Sequence, residues 1–150
     1  MMAARLGHRG LSREGERAMA DAEADVRRFF DEVWNQGNAA AAGDFLAAEF
    51  TSHNAFDVTI LGPDQYGRAV LDYRAAFPDL TVTLEDVFAS GDRVAVRGID
   101  RGTHQGEFMG RAASGRPVTA TWIEIFRLRS GKAVEGWVET DTRRMLDQIS

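Results

Sequence analysis

The hydrophobic period of this chain changes once, at Pro78, and that switch limits the folds open to it. Before it, Ala22, Val26, Phe29, Phe30 and Val33 return every three or four residues, with Trp34 beside them, which is the spacing of one helical face. Asn35-Gln36-Gly37-Asn38 reads as the stop of that helix, and the alanine-rich residues 39–48 read as a second one. Gly62-Pro63-Asp64 opens a third helix carrying Tyr66, Val70, Tyr73 and Phe77, which Pro78 ends because it cannot continue the backbone ladder.

After Pro78 the period is two. Leu80, Val82 and Leu84 alternate with polar residues up to a turn at Ser90-Gly91-Asp92. Residues 93–104 read as the next strand, and Gly106, Gly110 and Gly115 mark a glycine-rich connection. Strands follow over 117–129 and 133–141, joined by a tight turn, and Thr142 starts a short C-terminal helix. Helices first and a meander of long strands afterwards predict an α+β fold. Long strands twist and curl, so we expect a cone-shaped barrel of a curved, mostly antiparallel sheet against about three N-terminal helices. The mouth of such a cone is a natural place for a small ligand. Residues 1–18 are rich in Arg, Glu and Gly and are expected as a flexible tail, which leaves 19–150 as one domain.

Composition removes several kinds of chemistry. A net charge of −5 argues against nucleic acid as a partner, and no apolar run reaches the length of a membrane span. Without cysteine there is no disulfide framework, thiol nucleophile or thiolate metal site, and the expected location is the cytoplasm. Lys132 is the only lysine and sits in the turn Ser130-Gly131-Lys132, a poor place for a Schiff base. No glycine-rich phosphate loop follows a strand. His53, His104 and Glu124 lack the close spacing of a metal motif, so neither metal nor other cofactor is expected.

Parity along the strands names the residues that remain. Over 117–129 the even positions Val118, Ala120, Trp122, Glu124, Phe126 and Leu128 form the more apolar face, so that face should look inward. Glu124 then stands between Trp122 and Phe126, where desolvation raises a carboxyl pKa and marks a candidate for proton transfer. Pairing of Glu124 with an arginine is the structural alternative. On the preceding strand the inward set runs through Gly98, Asp100 and His104, and a bulge would turn Asp100 outward. His104 is either a proton donor or a histidine at a strand end; His53 either lines the mouth or caps its segment. Phe30, Trp34, Phe108, Trp122 and Phe126 are candidate walls, and Tyr66 and Tyr73 are each either core or a cavity hydroxyl.

Several stretches in order resemble the SnoaL-like polyketide cyclase family of the nuclear-transport-factor-2-like superfamily. They are Val26-Arg27-Arg28-Phe29-Phe30-Asp31-Glu32-Val33-Trp34-Asn35-Gln36-Gly37, Gly62-Pro63-Asp64, Ala75-Ala76-Phe77-Pro78-Asp79-Leu80, Gly91-Asp92-Arg93-Val94-Ala95-Val96-Arg97, Gly102-Thr103-His104-Gln105-Gly106-Glu107-Phe108 and Gly131-Lys132-Ala133-Val134-Glu135-Gly136-Trp137. The resemblance implies a cone-shaped fold, a homodimer or higher homo-oligomer, and ring closure of a polyketide by acid–base chemistry without a cofactor. It also implies an acidic residue on the last strand, at the position matched by Val138, and a helping polar group at the position of Glu124. Valine cannot transfer a proton, so a cyclase-like reaction would rest on Glu124, with His104 or with Glu139 or Asp141.

Three readings follow. The first is an acid–base enzyme on a small apolar cyclic or polyketide-like substrate, with Glu124 and His104 catalytic and Phe30, Trp34, His53, Tyr66, Phe108, Trp122, Phe126 and Val138 around the substrate. The second is a protein of the same fold that binds a small ligand without reacting. The third is an interaction module that pairs through Thr119, Thr121, Ile123 and Ile125 on the outer face.

Overall fold

The computed structural model describes residues 10–56 and 58–150; the side chains of Asn54 and Ala55, and the first nine residues with His8, lie outside the described residues. Helix α1 spans Arg13–Phe29. Ser12 caps it by accepting the Gly15 N–H at 3.1 Å, and Glu14 and Glu16 in the first turn face the positive end of the helix dipole. The helix therefore starts nine residues before Ala22, the first residue of the apolar stripe, and residues 13–18, assigned to the tail by composition, are helical. The cap and the charges set that start, because apolar spacing begins only where the helix meets the core.

Beyond Phe29 the helix widens into a π-helical turn over Phe30–Asn35, in which the Gln36 N–H reaches back five residues to the Asp31 carbonyl at 2.9 Å. Asn35 fixes its end like an extra strand residue, donating to the Val82 carbonyl at 3.0 Å and accepting the Val82 N–H at 2.7 Å. Arg74 donates to the Trp34 carbonyl at 2.7 Å.

The second helix is shorter than expected. A 3-10 turn at Ala39–Ala41 leads into a single helical turn, α2, at Ala42–Phe45, and strand β1 occupies Leu46–Ala55. A short strand β2 at Val58–Leu61 follows. Alanine propensity loses here to sheet pairing, since β1 runs parallel to the last strand some 80 residues later in the chain. Helix α3 spans Gly62–Ala76, starting at a glycine with φ +74° followed by Pro63.

The remaining strands are β3 (Thr81–Ser90), β4 (Arg93–Thr103), β5 (Pro117–Arg129) and β6 (Lys132–Thr140), with helix α4 at Thr142–Ile149. The order across the sheet is β2-β1-β6-β5-β4-β3, antiparallel everywhere except at β1 and β6. The fold is thus α+β as expected, but the sheet is open and not a closed barrel. Burial alternates along β5 with the even positions inside, as their side chains predict.

Packed between the sheet and helices α1 and α3 is an aromatic core. Phe126 and Phe50 are fully buried at its centre, with Phe29 and Phe45 against Phe126 at centroid separations of 6.1 and 5.3 Å and 5.0 Å from each other. Helix α4 closes one end of the sheet. Met145 and Ile149 are buried, and the Gln148 side chain bonds both the N–H and the carbonyl of Thr119, at 2.9 and 2.8 Å.

Candidate functional site

A cavity of about 390 Å³ opens between the inner face of the sheet and helix α3, and Glu124 and Asp100 line it together. Glu124 lies on β5 opposite Val96 of β4 and Val138 of β6, and only 4% of its surface is exposed. Its Oε1 has no hydrogen-bond partner among the described residues. Room for the carboxyl comes from Gly136, where a Cβ would sit 3.1 Å from Oε1, and the rings of Phe50 and Phe126 pack against the same spot. Burial, and then the charge of Asp100, push the Glu124 pKa up to about 8.

Asp100 lies on β4, inward as the regular strand requires, since β4 and β5 pair without interruption from Arg93 to Thr103. Trp122 Nε1 donates to its Oδ1 at 2.7 Å and the Tyr73 hydroxyl donates to its Oδ2 at 3.2 Å. Trp122 reaches Asp100 by lying across Gly98, where any Cβ would overlap the indole. Burial raises the Asp100 pKa to about 6, with the two donors opposing it. At neutral pH the two carboxyl groups therefore differ in state: Asp100 is ionised and Glu124 keeps its proton.

Aromatic rings form most of the remaining wall. Phe30 stacks on Trp122 at 5.1 Å, and Trp34 Nε1 donates to the Tyr66 hydroxyl at 3.0 Å. Burial and the nearby Glu124 raise the Tyr66 pKa well above its ordinary value. Phe108 completes the wall with Phe56 and Tyr73, and Ser52 contributes a buried hydroxyl that has no partner among the described residues.

The structure brings together Glu124, Phe30, Trp34, Tyr66, Phe108, Trp122 and Val138 around the cavity, and leaves three expected residues out of it. His104 is fully buried behind Phe77, and its Nδ1 accepts the Ser114 N–H at 3.1 Å and lies 2.9 Å from the Ser114 hydroxyl. That leaves the imidazole proton on Nε2, inside the fold and away from the cavity, so His104 holds the glycine-rich connection in place. His53 projects to the outer face, 2.9 Å from Glu135 and stacked on Trp137, because β1 is a strand and its odd positions point away from the helices. Phe126 sits in the core beneath Glu124. Among the described residues no group of three His, Asp or Glu side chains is placed to hold a metal.

Asp100, Tyr73 and Ser52 are the site residues that pattern reading underweighted. Strand parity already pointed Asp100 inward. Ser52 was hidden because no strand was read there: residues 39–48 were read as a helix, and β1 occupies Leu46–Ala55.

The family model for SnoaL-like polyketide cyclases matches residues 24–149. The chain belongs to this family. Among solved structures, a proposed SnoaL-like polyketide cyclase from Jannaschia sp. CCS1 is 27% identical with a TM-score of 0.83, over 94% of this chain and 98% of that one. IdmH, a proposed polyketide cyclase from Streptomyces antibioticus, is 30% identical with a TM-score of 0.70, over 84% and 96% of the two chains. AclR, a proposed hydroxylase from Streptomyces galilaeus, is 28% identical with a TM-score of 0.77, over 87% and 96%. No curated protein matches. The SnoaL-like fold therefore carries neighbours given different reactions, and the chemistry of this member has to be argued from its own cavity. No helix among the described residues is long and apolar enough to cross a membrane.

Proposed function

We propose that this SnoaL-like chain is a cofactor-independent acid–base enzyme acting on a small, largely apolar cyclic or polyketide-like molecule held in the cavity. The observation that carries the proposal is the Glu124 carboxyl, buried over open space with Oε1 unpartnered among the described residues. Such a group costs stability unless a bound molecule meets it.

Glu124 keeps its proton near pH 7 and serves as the acid, donating to a developing enolate oxygen. Asp100, held by Trp122 and Tyr73, is the ionised partner and takes the proton from carbon. The stacked pair of Phe30 and Trp122 orients a flat ring against both groups.

The resemblance matches Val138 to the family's acidic position, and the register pairs Val138 directly with Glu124. Side chains so paired stand about 5 Å apart. Glu124, at the position of the helping polar group, is the ionisable residue that remains and faces the same volume. A protein that only sequesters its ligand is expected to fix this glutamate with an arginine, and no arginine lines the cavity among the described residues.

The test is exchange of the α-protons of 2-tetralone in D2O, followed by NMR, because it reads proton transfer at carbon without knowledge of the natural product. Wild-type protein should accelerate exchange, and Glu124→Gln should lower the rate by about 10²–10⁴-fold while still binding the ketone. Equal rates for the two proteins would remove Glu124 from the chemistry.

A further inference from the structure

The cavity wall holds a second buried polar side chain besides Glu124 that nothing satisfies. Ser52 is 1% exposed, and its hydroxyl has no hydrogen-bond partner among the described residues. Both side chains line the cavity. A buried hydroxyl left unpaired costs folding free energy, so its place on a mostly apolar wall calls for a partner from outside the chain.

Sheet register explains why the two groups lie together. Ser52 of β1 pairs with Gly136 of β6 in parallel, so both positions face inward with their Cα atoms about 4.8 Å apart. The next pair, His53 and Trp137, stacks on the outer face. Because Gly136 has no side chain, the Glu124 carboxyl leans over it, with Oε1 3.1 Å from where a Cβ would stand. The orphaned hydroxyl and the orphaned carboxyl thus occupy one patch of the wall, framed by the rings of Phe50 and Phe126, and do not bond each other. One acceptor oxygen placed against this patch would satisfy both.

The third polar group lies on the other side. Across the sheet the order is Ser52 on β1, Gly136 on β6, Glu124 on β5 and Asp100 on β4. Asp100 already receives Trp122 Nε1 and the Tyr73 hydroxyl, and it needs no further donor. Donors toward β1 and a base toward β4 give the wall a direction.

We infer that Ser52 is a second catalytic donor: its hydroxyl and the Glu124 carboxyl hold the same carbonyl oxygen of the bound molecule and stabilise it as the enol forms. This rests on the proposed acid–base use of the cavity, and adds to it a residue and an orientation. The carbonyl points toward β1, and the carbon that gives its proton to Asp100 lies on the β4 side. The C–H electron pair becomes the carbon–carbon double bond of the enol, and Glu124 gives its proton to the oxygen. Ser52 keeps its own proton and supplies a hydrogen bond, which counts for more on a dry wall than in water.

Infrared spectra of 2-tetralone, isotope-labelled at its carbonyl carbon and bound to the full chain, read this oxygen directly. The carbonyl stretch should lie lower in the wild type than in Ser52→Ala, which lacks one of the two donors. The same variant should slow α-proton exchange by about 10²-fold. It should also raise the urea midpoint, because it removes an unpaired buried hydroxyl. If the wild type catalyses exchange and Ser52→Ala matches it in rate or in carbonyl stretch, Ser52 has no such role and the Glu124 chemistry stands. A lowered urea midpoint has the same force, since the hydroxyl then serves the fold. A stretch that depends on Ser52, in a wild type that exchanges no α-protons, keeps the shared oxygen and removes the acid–base reading. If 2-tetralone does not bind, both fail.

Discussion

Two glutamates on adjacent strands, Glu124 on β5 and Glu135 on β6, show how far the two faces of this sheet differ. On the outer face, Glu135 takes hydrogen bonds from Arg127 at 3.0 Å and from His53 at 2.9 Å, and these partners lower its pKa. On the inner face, Glu124 has aromatic neighbours, a glycine and, among the described residues, no cation, and its pKa rises to about 8. The residue type is the same and the positions are close in the sheet. What differs is which side of the pleat each occupies. Partners on the wet side stabilise charge, and burial on the dry side removes it.

The largest consequence is a stability profile that slopes in opposite directions at the two ends of the pH scale. The inner carboxyl holds its proton to about 8 when folded and to about 4.5 when unfolded. Between these values the unfolded state binds fewer protons, so stability falls as pH rises. The shift corresponds to about 4 kcal/mol lost from pH 4.5 to 8, and Asp100 adds to it in the same direction. Urea denaturation across this range should show the decline, and Glu124→Gln should remove most of it. A flat profile in the wild type would abolish the contrast. Glu135 acts with the opposite sign: its stabilisation is present above the ordinary value of 4.5 and is lost as pH falls through its lowered pKa.

A smaller effect is expected from Gly98→Val, which sharpens the inner half of the comparison. The new side chain overlaps the Trp122 indole and forces it off Asp100. Overpacking of this kind costs about 1–3 kcal/mol, visible in urea midpoints and in a changed tryptophan emission. An unchanged emission would mean that Trp122 does not bridge the two strands as described. The smallest effect belongs to the outer face. Glu135→Gln removes a half-buried ion pair still within reach of salt, so its midpoint shift should be less than that of Gly98→Val and should fall in 1 M NaCl. A shift larger than that of Gly98→Val would invert the ranking of the two faces.

The period switch at Pro78 and the alternation along β5 made the fold class and the inward placement of Glu124 legible before any coordinates. The same parity pointed Asp100 inward, and only the continuity of β4 against β5 was missing to commit to it. β1 was not legible. Its sequence, Leu46-Ala47-Ala48-Glu49-Phe50-Thr51-Ser52-His53, has no clean alternation, and it becomes a strand by pairing in parallel with β6, a partner no local window contains. His53 was misplaced for that reason. His104 was placed on the right face, but its ring is claimed by Ser114 across ten residues of glycine-rich connection, and spacing carries no record of such a closure.

The π-helical turn at Phe30–Asn35 has a consequence for how the cavity could diversify. It seats one more residue than a regular helix would, between two aromatic side chains that face the same volume. A regular α-helix of the same length would carry Trp34 further round the axis than the widened turn does, away from the direction it faces here. The aim of the indole is therefore set by a backbone irregularity, and a change that straightened this turn at constant length would redirect the indole and reshape the chamber.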